Sequence, residues 1–177
     1  MSYLNDLLAL SHVPRWAIVR TYRPQSVGEH SFRTAMIAAE LWRRTRIKFP
    51  GLDLERVMWL SLTHDADESV TGDIPGIVKP ELHITTEFVA APLEFQHLIP
   101  TLQEIKFVKV CDLLETSTFI EMEGHGYHAN QVIRNLQVEL ISATEKLDIA
   151  DEVRRLHQHI VDEDGRFRWR GDVGQRE

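Results

Sequence analysis

The sequence predicts an all-α, single-domain protein of about six or seven helices over residues 1–177, with residues 165–177 as a polar tail. Three observations predict it. Apolar residues recur at helical spacing in several long segments, and no run keeps the two-residue alternation of a half-buried strand. Short Gly- or Pro-containing breaks separate the helical segments, with no repeat, linker or low-complexity stretch between them. At 177 residues, 43% hydrophobic and 27% charged, the chain can bury a sizeable core.

Charge and composition narrow the function classes. A net charge of −7 argues against long nucleic acid as a partner but leaves room for a small anion in a locally basic pocket. The single cysteine, Cys111, rules out an internal disulfide and suits a reducing compartment. No apolar run approaches the roughly 20 residues that span a bilayer, and no signal-peptide pattern opens the chain. The expectation is no membrane association and a cytoplasmic location, the host cytoplasm for a phage-encoded chain.

Taken in order, Ser2–Leu10 reads as a short helix, and Pro14 breaks it. Arg15–Arg20 follows as an extended connector, then a turn from Pro24 to Gly28. From Val27 a strong helix carries an apolar stripe of Phe32, Ala35, Met36, Ala39 and Trp42, with His30 in its first turn. Asp53 can cap a helix running to Glu68, and Thr71–Gly76 has too many breakers to be anything but a loop. Thr85–His97 reads as a helix offset by Pro92. Pro100 restarts a long helix through about Met122, on which Ile105, Val108, Asp112, Thr116 and Phe119 keep helical spacing. A glycine-rich break at Glu123–Gly126 precedes a helix over His128–Leu147, and Asp148–Val161 is the last.

The chemistry centres on Leu60–Asp73. His64 and Asp65 are adjacent, and Val57, Leu60 and Ser61 share the helix face of His64, which should be the buried one. Among nine histidines, one His-Asp dipeptide means little by itself. Its company gives it weight: His30 upstream and Asp112 downstream, each on its own apolar helix. Two imidazoles and two carboxylates suit one divalent transition metal ion such as Zn, Co or Mn, with positions left for water and substrate. Such an ion polarises a phosphoryl oxygen and lowers the pKa of a bound water to about 7. Glu68, four residues beyond His64, lies one turn along and is placed for acid–base work.

His30, His64-Asp65 and Asp112, in that order and on helices, resemble the signature of the HD-domain phosphohydrolases. Arg15-Trp16, Gly28-Glu29-His30-Ser31, Glu68, Thr71-Gly72-Asp73-Ile74-Pro75, Lys79 and Val108-Lys109 before Asp112 resemble the YfbR-type 5′-deoxynucleotidases more narrowly. The short stretch between Lys79 and Asp112, and Ile77 where those enzymes tend to have a proline, look more like the phage dATP triphosphohydrolases. The resemblance implies an HD-domain fold with His30, His64, Asp65 and Asp112 as metal ligands. It implies Glu68 and Asp73 as catalytic residues, and Arg15, Trp16, Ile18 and Lys79 as substrate-binding residues. It implies hydrolysis of a small 2′-deoxynucleotide at the ester between the 5′ oxygen and α-phosphorus, dATP first, by a homo-oligomer. Trp16 would stack on the base, Ile18 would crowd the edge where guanine or 2-aminoadenine carries its amino group, and Arg15 and Lys79 would hold phosphates.

Each residue also has a plainer reading. His30 could be a satisfied core histidine, Asp112 a partner of Lys109, Glu68 a helix-end carboxylate, and Asp73 the closure of the Gly72 turn. Trp16 could be core, and Arg15 and Lys79 solvated charges. His83 and His97 sit where dinuclear relatives hold a second metal, without the flanking residues. His125 and His128 read as structural or pocket-edge. Arg166, Arg168 and Arg170 alternate with Phe167 and Trp169 in the tail. Two functions compete: a metal-dependent deoxynucleotide hydrolase, with 5′-deoxynucleotidase action on monophosphates as its variant, and a non-catalytic nucleotide sensor of the same fold. Glu68 and Asp73 beside a full ligand set favour the enzyme.

Overall fold

The computed structural model describes residues 3–75 and 93–173. Among them it contains seven α-helices: α1 (Tyr3–Ala9), α2 (Val27–Thr45), α3 (Leu54–Thr63), α4 (Glu68–Thr71), α5 (Leu102–Glu123), α6 (Tyr127–Leu147) and α7 (Ala150–Val173). Short 3-10 segments cover Leu10–His12 and Leu93–Leu98. No strand forms among the described residues, only two isolated bridges, Pro14 with Ser26 and Thr21 with Gly124. The all-α expectation holds.

Helix α5 is the axis of the fold. It packs against α2, α3, α6 and α7, and it buries residues on nearly all sides, from Phe107 to Ile120. A helix apolar all round is a core helix, and the sequence of α5 reads that way except at its acids. Ile37, Ala38 and Leu41 of α2, Val57 of α3, Phe107 and Leu114 of α5, and Val153 and Leu156 of α7 form one contiguous core. Burying side chains of this size stabilises by about 1.5–3 kcal/mol each before chain entropy is subtracted.

Caps set where these helices begin. Ser26 accepts the Glu29 N–H at the start of α2, and Asp53 accepts the Arg56 N–H at the start of α3. Thr101 and Glu104 form a reciprocal capping box on α5. Glu104 is fully buried and does more than cap. Its carboxylate takes the Arg56 guanidinium at 2.8–3.0 Å and the Asp53 N–H at 3.0 Å, tying the start of α3 to the start of α5. Burial pushes this carboxyl up, but Arg56 and the N–H groups of Thr101 and Asp53 outweigh it and hold its pKa at about 2. Gly28 serves a different purpose. A Cβ there would stand 3.0 Å from the Ser11 nitrogen, so a larger residue would push α2 and the Leu10–His12 turn apart by a few tenths of an ångström.

Four expectations are corrected. The buried face of α2 is Val27, His30, Ser31, Thr34, Ala35, Ile37, Ala38, Leu41 and Thr45. Ala35 of the expected stripe belongs to it and Trp42 packs partly buried on the core, while Phe32 and Met36 are exposed. Hydrophobic spacing misleads there because the inward face carries the polar residues that meet α5. The helix from Asp53 ends at Thr63, and a turn over residues 64–67 separates it from α4. Residues 15–20 are no extended connector. Trp16 has φ +66° and its carbonyl accepts the Val19 N–H at 3.0 Å, so the chain turns back. The last helix passes Val161 and runs to Val173, taking in much of the stretch expected as a tail. It bears Gly165, which a propensity argument treats as a stop. Most of the expected Thr85–His97 helix lies outside the described residues, and its end, Leu93–Leu98, is 3-10.

Candidate metal centre and substrate cleft

Helices α2, α3 and α5 bring the candidate ligands together. His30 projects from the first turn of α2 and is fully buried. His64 is the C-cap of α3, and Asp65 follows it in the turn. The ligand atoms of His30, His64 and Asp65 all lie within 4.8 Å of one another. Asp112 on α5 falls outside that tight group, but its Oδ1 stands 3.2 Å from His30 Nε2. Asp65 Oδ2 is 3.7 Å from the same nitrogen and 3.4 Å from His64 Nε2.

Hydrogen bonding decides which imidazole nitrogens face this point. His30 Nδ1 meets Glu115 Oε2 at 2.5 Å, and His64 Nδ1 meets the Ser61 carbonyl at 2.9 Å. Carboxylates and carbonyls only accept, so both rings must donate from Nδ1. In the neutral rings the His30 Nε2 lone pair then faces Asp65 and Asp112, and that of His64 faces Asp65. These buried Nε2 atoms find no hydrogen-bond partner in the protein. Two bare imidazole nitrogens converging on two carboxylates match the donor set of a divalent transition ion. The field of the site draws positive charge. Burial and Arg15 push the pKa of His30 down, yet Asp112 and Glu115 outweigh them and raise it to about 9. Burial opposes ionisation of Asp112, but His30, His64 and Lys109 keep its carboxyl well below the usual range.

Asp112 also holds Lys109 Nζ at 2.8 Å, so the plainer reading of Asp112 as a lysine partner is true of its other oxygen. Glu68, at 5% exposure, opens α4 and lines the same cavity. Asp73 lines it too, and its carboxylate accepts the Trp16 N–H at 3.2 Å, closing the loop after α4 onto the Arg15–Val19 turn.

These groups border a cleft of about 610 Å³, within the range of small-molecule sites. Arg15, Trp16 and Ile18 form its turn side, and Val132, Leu136 and Glu139 of α6 extend the wall. Trp16 stacks on Phe119 with ring centroids 5.9 Å apart and planes at 6°. Arg15 lies over Trp16 at 5.3 Å and reaches toward Glu115 at 3.7 Å, so its charge is already partly engaged. Ile18 is 57% exposed at the cleft. Lys79 and His83 lie outside the described residues. His97 is exposed, and His125 stacks on Tyr22 at 4.7 Å, in keeping with a structural role.

Sequence reasoning missed Glu115, Gln25 and Arg33. Glu115 is fully buried and receives Gln25 Nε2–H at 2.8 Å and Arg33 Nε–H at 2.7 Å besides His30. Burial opposes its ionisation, but His30, Arg15 and Arg33 outweigh that and lower its pKa. The signal was present: an acid one turn after a candidate ligand, inside an otherwise apolar run.

The chain is similar to several known proteins. The 5′-deoxynucleotidase YfbR-like family model matches residues 2–91. A dATP triphosphohydrolase of Salmonella phage PMBT28 is 32% identical over 143 residues, covering 75% of this chain and 73% of the relative. A dATP triphosphohydrolase of Cyanophage S-2L is 28% identical over 162 residues, covering 84% of this chain and 89% of the relative. Among solved structures, the Cyanophage S-2L HD phosphohydrolase DatZ, bound to dA and one catalytic Zn2+ ion, superposes with a TM-score of 0.78. It is 24% identical, and the match covers 92% of this chain and 98% of that one. The chain belongs to the 5′-deoxynucleotidase YfbR-like family and has the fold of the HD-domain phosphohydrolases.

Proposed function

We propose that the chain hydrolyses dATP at the ester between the 5′ oxygen and the α-phosphorus, releasing deoxyadenosine and triphosphate. The observation that carries this is the convergence of two bare imidazole nitrogens and two carboxylates on a cleft walled by Trp16 and Ile18. The similarity to phage dATP triphosphohydrolases over most of the chain supports the substrate.

His30, His64, Asp65 and Asp112 would hold one divalent transition ion, Zn, Co or Mn. When bound, the ion supplies Lewis-acid polarisation of the α-phosphoryl oxygen and makes water easier to deprotonate. The remaining work belongs to the chain. Glu68, buried at the cavity edge, positions the attacking water or passes a proton to the departing 5′ oxygen, which leaves as an alcohol. Asp73 fixes the Trp16 turn through the backbone N–H and so orients the substrate. Trp16 offers a ring to the purine. Arg15 and Lys79 neutralise the phosphates. Ile18 faces the purine edge and excludes a 2-amino group by denying it a hydrogen-bond partner.

One further reading has its own support: the matching family model is that of 5′-deoxynucleotidases, which would make deoxynucleoside monophosphates the substrate. A panel of dNMPs and dNTPs with added Zn2+, Co2+ or Mn2+ separates the two. Release of triphosphate from dATP ahead of all others is expected. Phosphate from monophosphates alone would hand the function to the nucleotidase reading, and no turnover with bound ligand to a sensor.

The same reading places one domain over 1–177 and the enzyme in the cytoplasm, that of the host for a phage-encoded chain. No helix among the described residues is long and apolar enough to cross a membrane. Homo-oligomer formation is part of the proposal, supported by Phe32 and Met36, exposed one turn apart on α2.

A further inference from the structure

The side chains between the cleft wall and the metal centre form an unbroken chain of hydrogen bonds. Trp16 Nε1–H donates to Gln25 Oε1 at 2.8 Å, and Gln25 Nε2–H donates to Glu115 Oε1 at 2.8 Å. Glu115 Oε2 accepts from His30 Nδ1 at 2.5 Å. Gln25 is 2% exposed, and Glu115 and His30 are not exposed at all. We propose that Gln25 and Glu115 are positioning residues that tie the ring of Trp16 to the imidazole of His30, so that one bridge sets both the base wall and the metal geometry. The inference rests on the metal reading of His30 given above.

The chemistry of the ends dictates the middle. An indole N–H only donates and an ionised carboxylate only accepts. A residue joining them must accept on one side and donate on the other, which a carboxamide does and a carboxylate, ammonium or guanidinium does not. Reversing the Gln25 amide would set two donors face to face at Trp16 and two acceptors at Glu115. One orientation therefore satisfies both ends, and it fixes the side chain. The backbone holds Gln25 just as firmly: its carbonyl accepts the Arg15 N–H at 2.9 Å, next to the Pro14–Ser26 bridge.

Glu115 has the geometry of a carboxylate that orients a metal-binding imidazole, an arrangement whose loss costs about 10–100-fold in metal affinity or activity. Arg33 at 2.7 Å and Arg15 at 3.7 Å offset its charge, so the bridge is buried without an uncompensated ion. Trp16 makes no hydrogen bond to a candidate ligand, so its indole N–H reaches the metal centre by hydrogen bonds through Gln25. Arg15 also touches both the Trp16 ring and Glu115, a contact that Gln25→Met leaves in place.

The test is Zn2+ affinity by chelator competition for the parent, His64→Ala, Trp16→Phe, Gln25→Met and the Trp16→Phe, Gln25→Met double variant, with the Tm of each recorded. Trp16→Phe keeps an aromatic ring against Phe119, changes no charge and removes the fused five-membered ring with its N–H; the double variant separates loss of the hydrogen bond from loss of ring area. The expected result is that Trp16→Phe and Gln25→Met each weaken Zn2+ binding about 3–10-fold, a fraction of the effect of losing the orienting carboxylate. The double variant should be no weaker than Gln25→Met alone, because one broken bridge cannot be broken twice. If Zn2+ binds the parent and is lost in His64→Ala, yet Trp16→Phe binds within twofold of the parent, the bridge is wrong and the metal reading stands. Multiplying effects in the double variant also overturn it. A parent without a stoichiometric Zn2+ site sinks the metal reading and this inference together. Should Gln25→Met fail to fold, Trp16→Phe alone still decides.

Discussion

His30, His64 and Asp112 stand on or at the ends of three helices whose starts are capped and, for α3 and α5, locked to each other through Arg56 and Glu104. Arg15, Trp16 and Ile18 stand on a short turn whose backbone is left-handed at Trp16. The helical side takes its positions from the core. The turn side takes its positions from a few long-range ties: Asp73 and Gln25 to Trp16, Val19 packed with Ile120 and Ala129, and Tyr22 N–H to the Glu123 carbonyl at 2.8 Å. Chemistry placed on packed helices is costly to move, whereas specificity placed on a turn can change through one or two side chains. A difference of this kind would let related chains keep one reaction and exchange substrates.

Substitutions on the helical side should show the largest effects. His64→Ala is expected to remove both the bound metal and the turnover. Metal analysis of the purified variant checks it, and full metal content would move the site elsewhere. Glu68→Ala should lower turnover by about 10²–10⁴-fold while metal and substrate still bind. Turnover within a few-fold of the parent would pass the proton-transfer role to another group, with Asp73 on the same cleft the alternative.

The turn side predicts a smaller and different effect. Ile18→Gly should leave dATP turnover near that of the parent and narrow the preference for dATP over the 2-aminoadenine nucleotide by roughly tenfold. Competition between the two nucleotides measures it. An unchanged preference would place the exclusion on another residue.

The last effect falls on stability rather than turnover and concerns the lock between α3 and α5. The folded pKa of Glu104 is lowered to about 2 from an ordinary value of 4.5. Its contribution is therefore fully present above about pH 5 and is lost as the pH falls toward 2, a range in which up to about 3 kcal/mol of stability disappears. Arg56→Ala should lower stability at pH 7 and flatten this acid limb. Urea melts at pH 7, 5 and 3 test it, and parallel losses for variant and parent would show that Arg56 is not what holds the carboxylate ionised.

Legibility in the sequence followed the same division. Helix existence was plain wherever a cap or a breaker agreed with apolar spacing, as at Asp53, Pro100 and the Glu123–Gly126 break. His30, His64 and Asp65 could be read as a group because three short words recur in order, and the fold brings their ligand atoms within 4.8 Å. The orientation of α2 could not be read. Its inward face carries His30, Ser31 and Thr34, so hydrophobic spacing chose Phe32 and Met36 instead. Glu115 and Gln25 escaped because their importance lies in contacts across 85–90 residues of chain, which no local pattern records. The turn at Trp16 escaped for a related reason: an L-residue at positive φ is held there by its partners, and Asp73 is one of them.

The cleaved bond is the centre of the account, and ¹⁸O-labelled water reads it most directly. The protein with Zn2+ and dATP in H₂¹⁸O should yield unlabelled deoxyadenosine and triphosphate carrying one ¹⁸O, because the attack falls on the α-phosphorus and the 5′ oxygen departs with the sugar. Label in deoxyadenosine, or dAMP and pyrophosphate as the products, would contradict it.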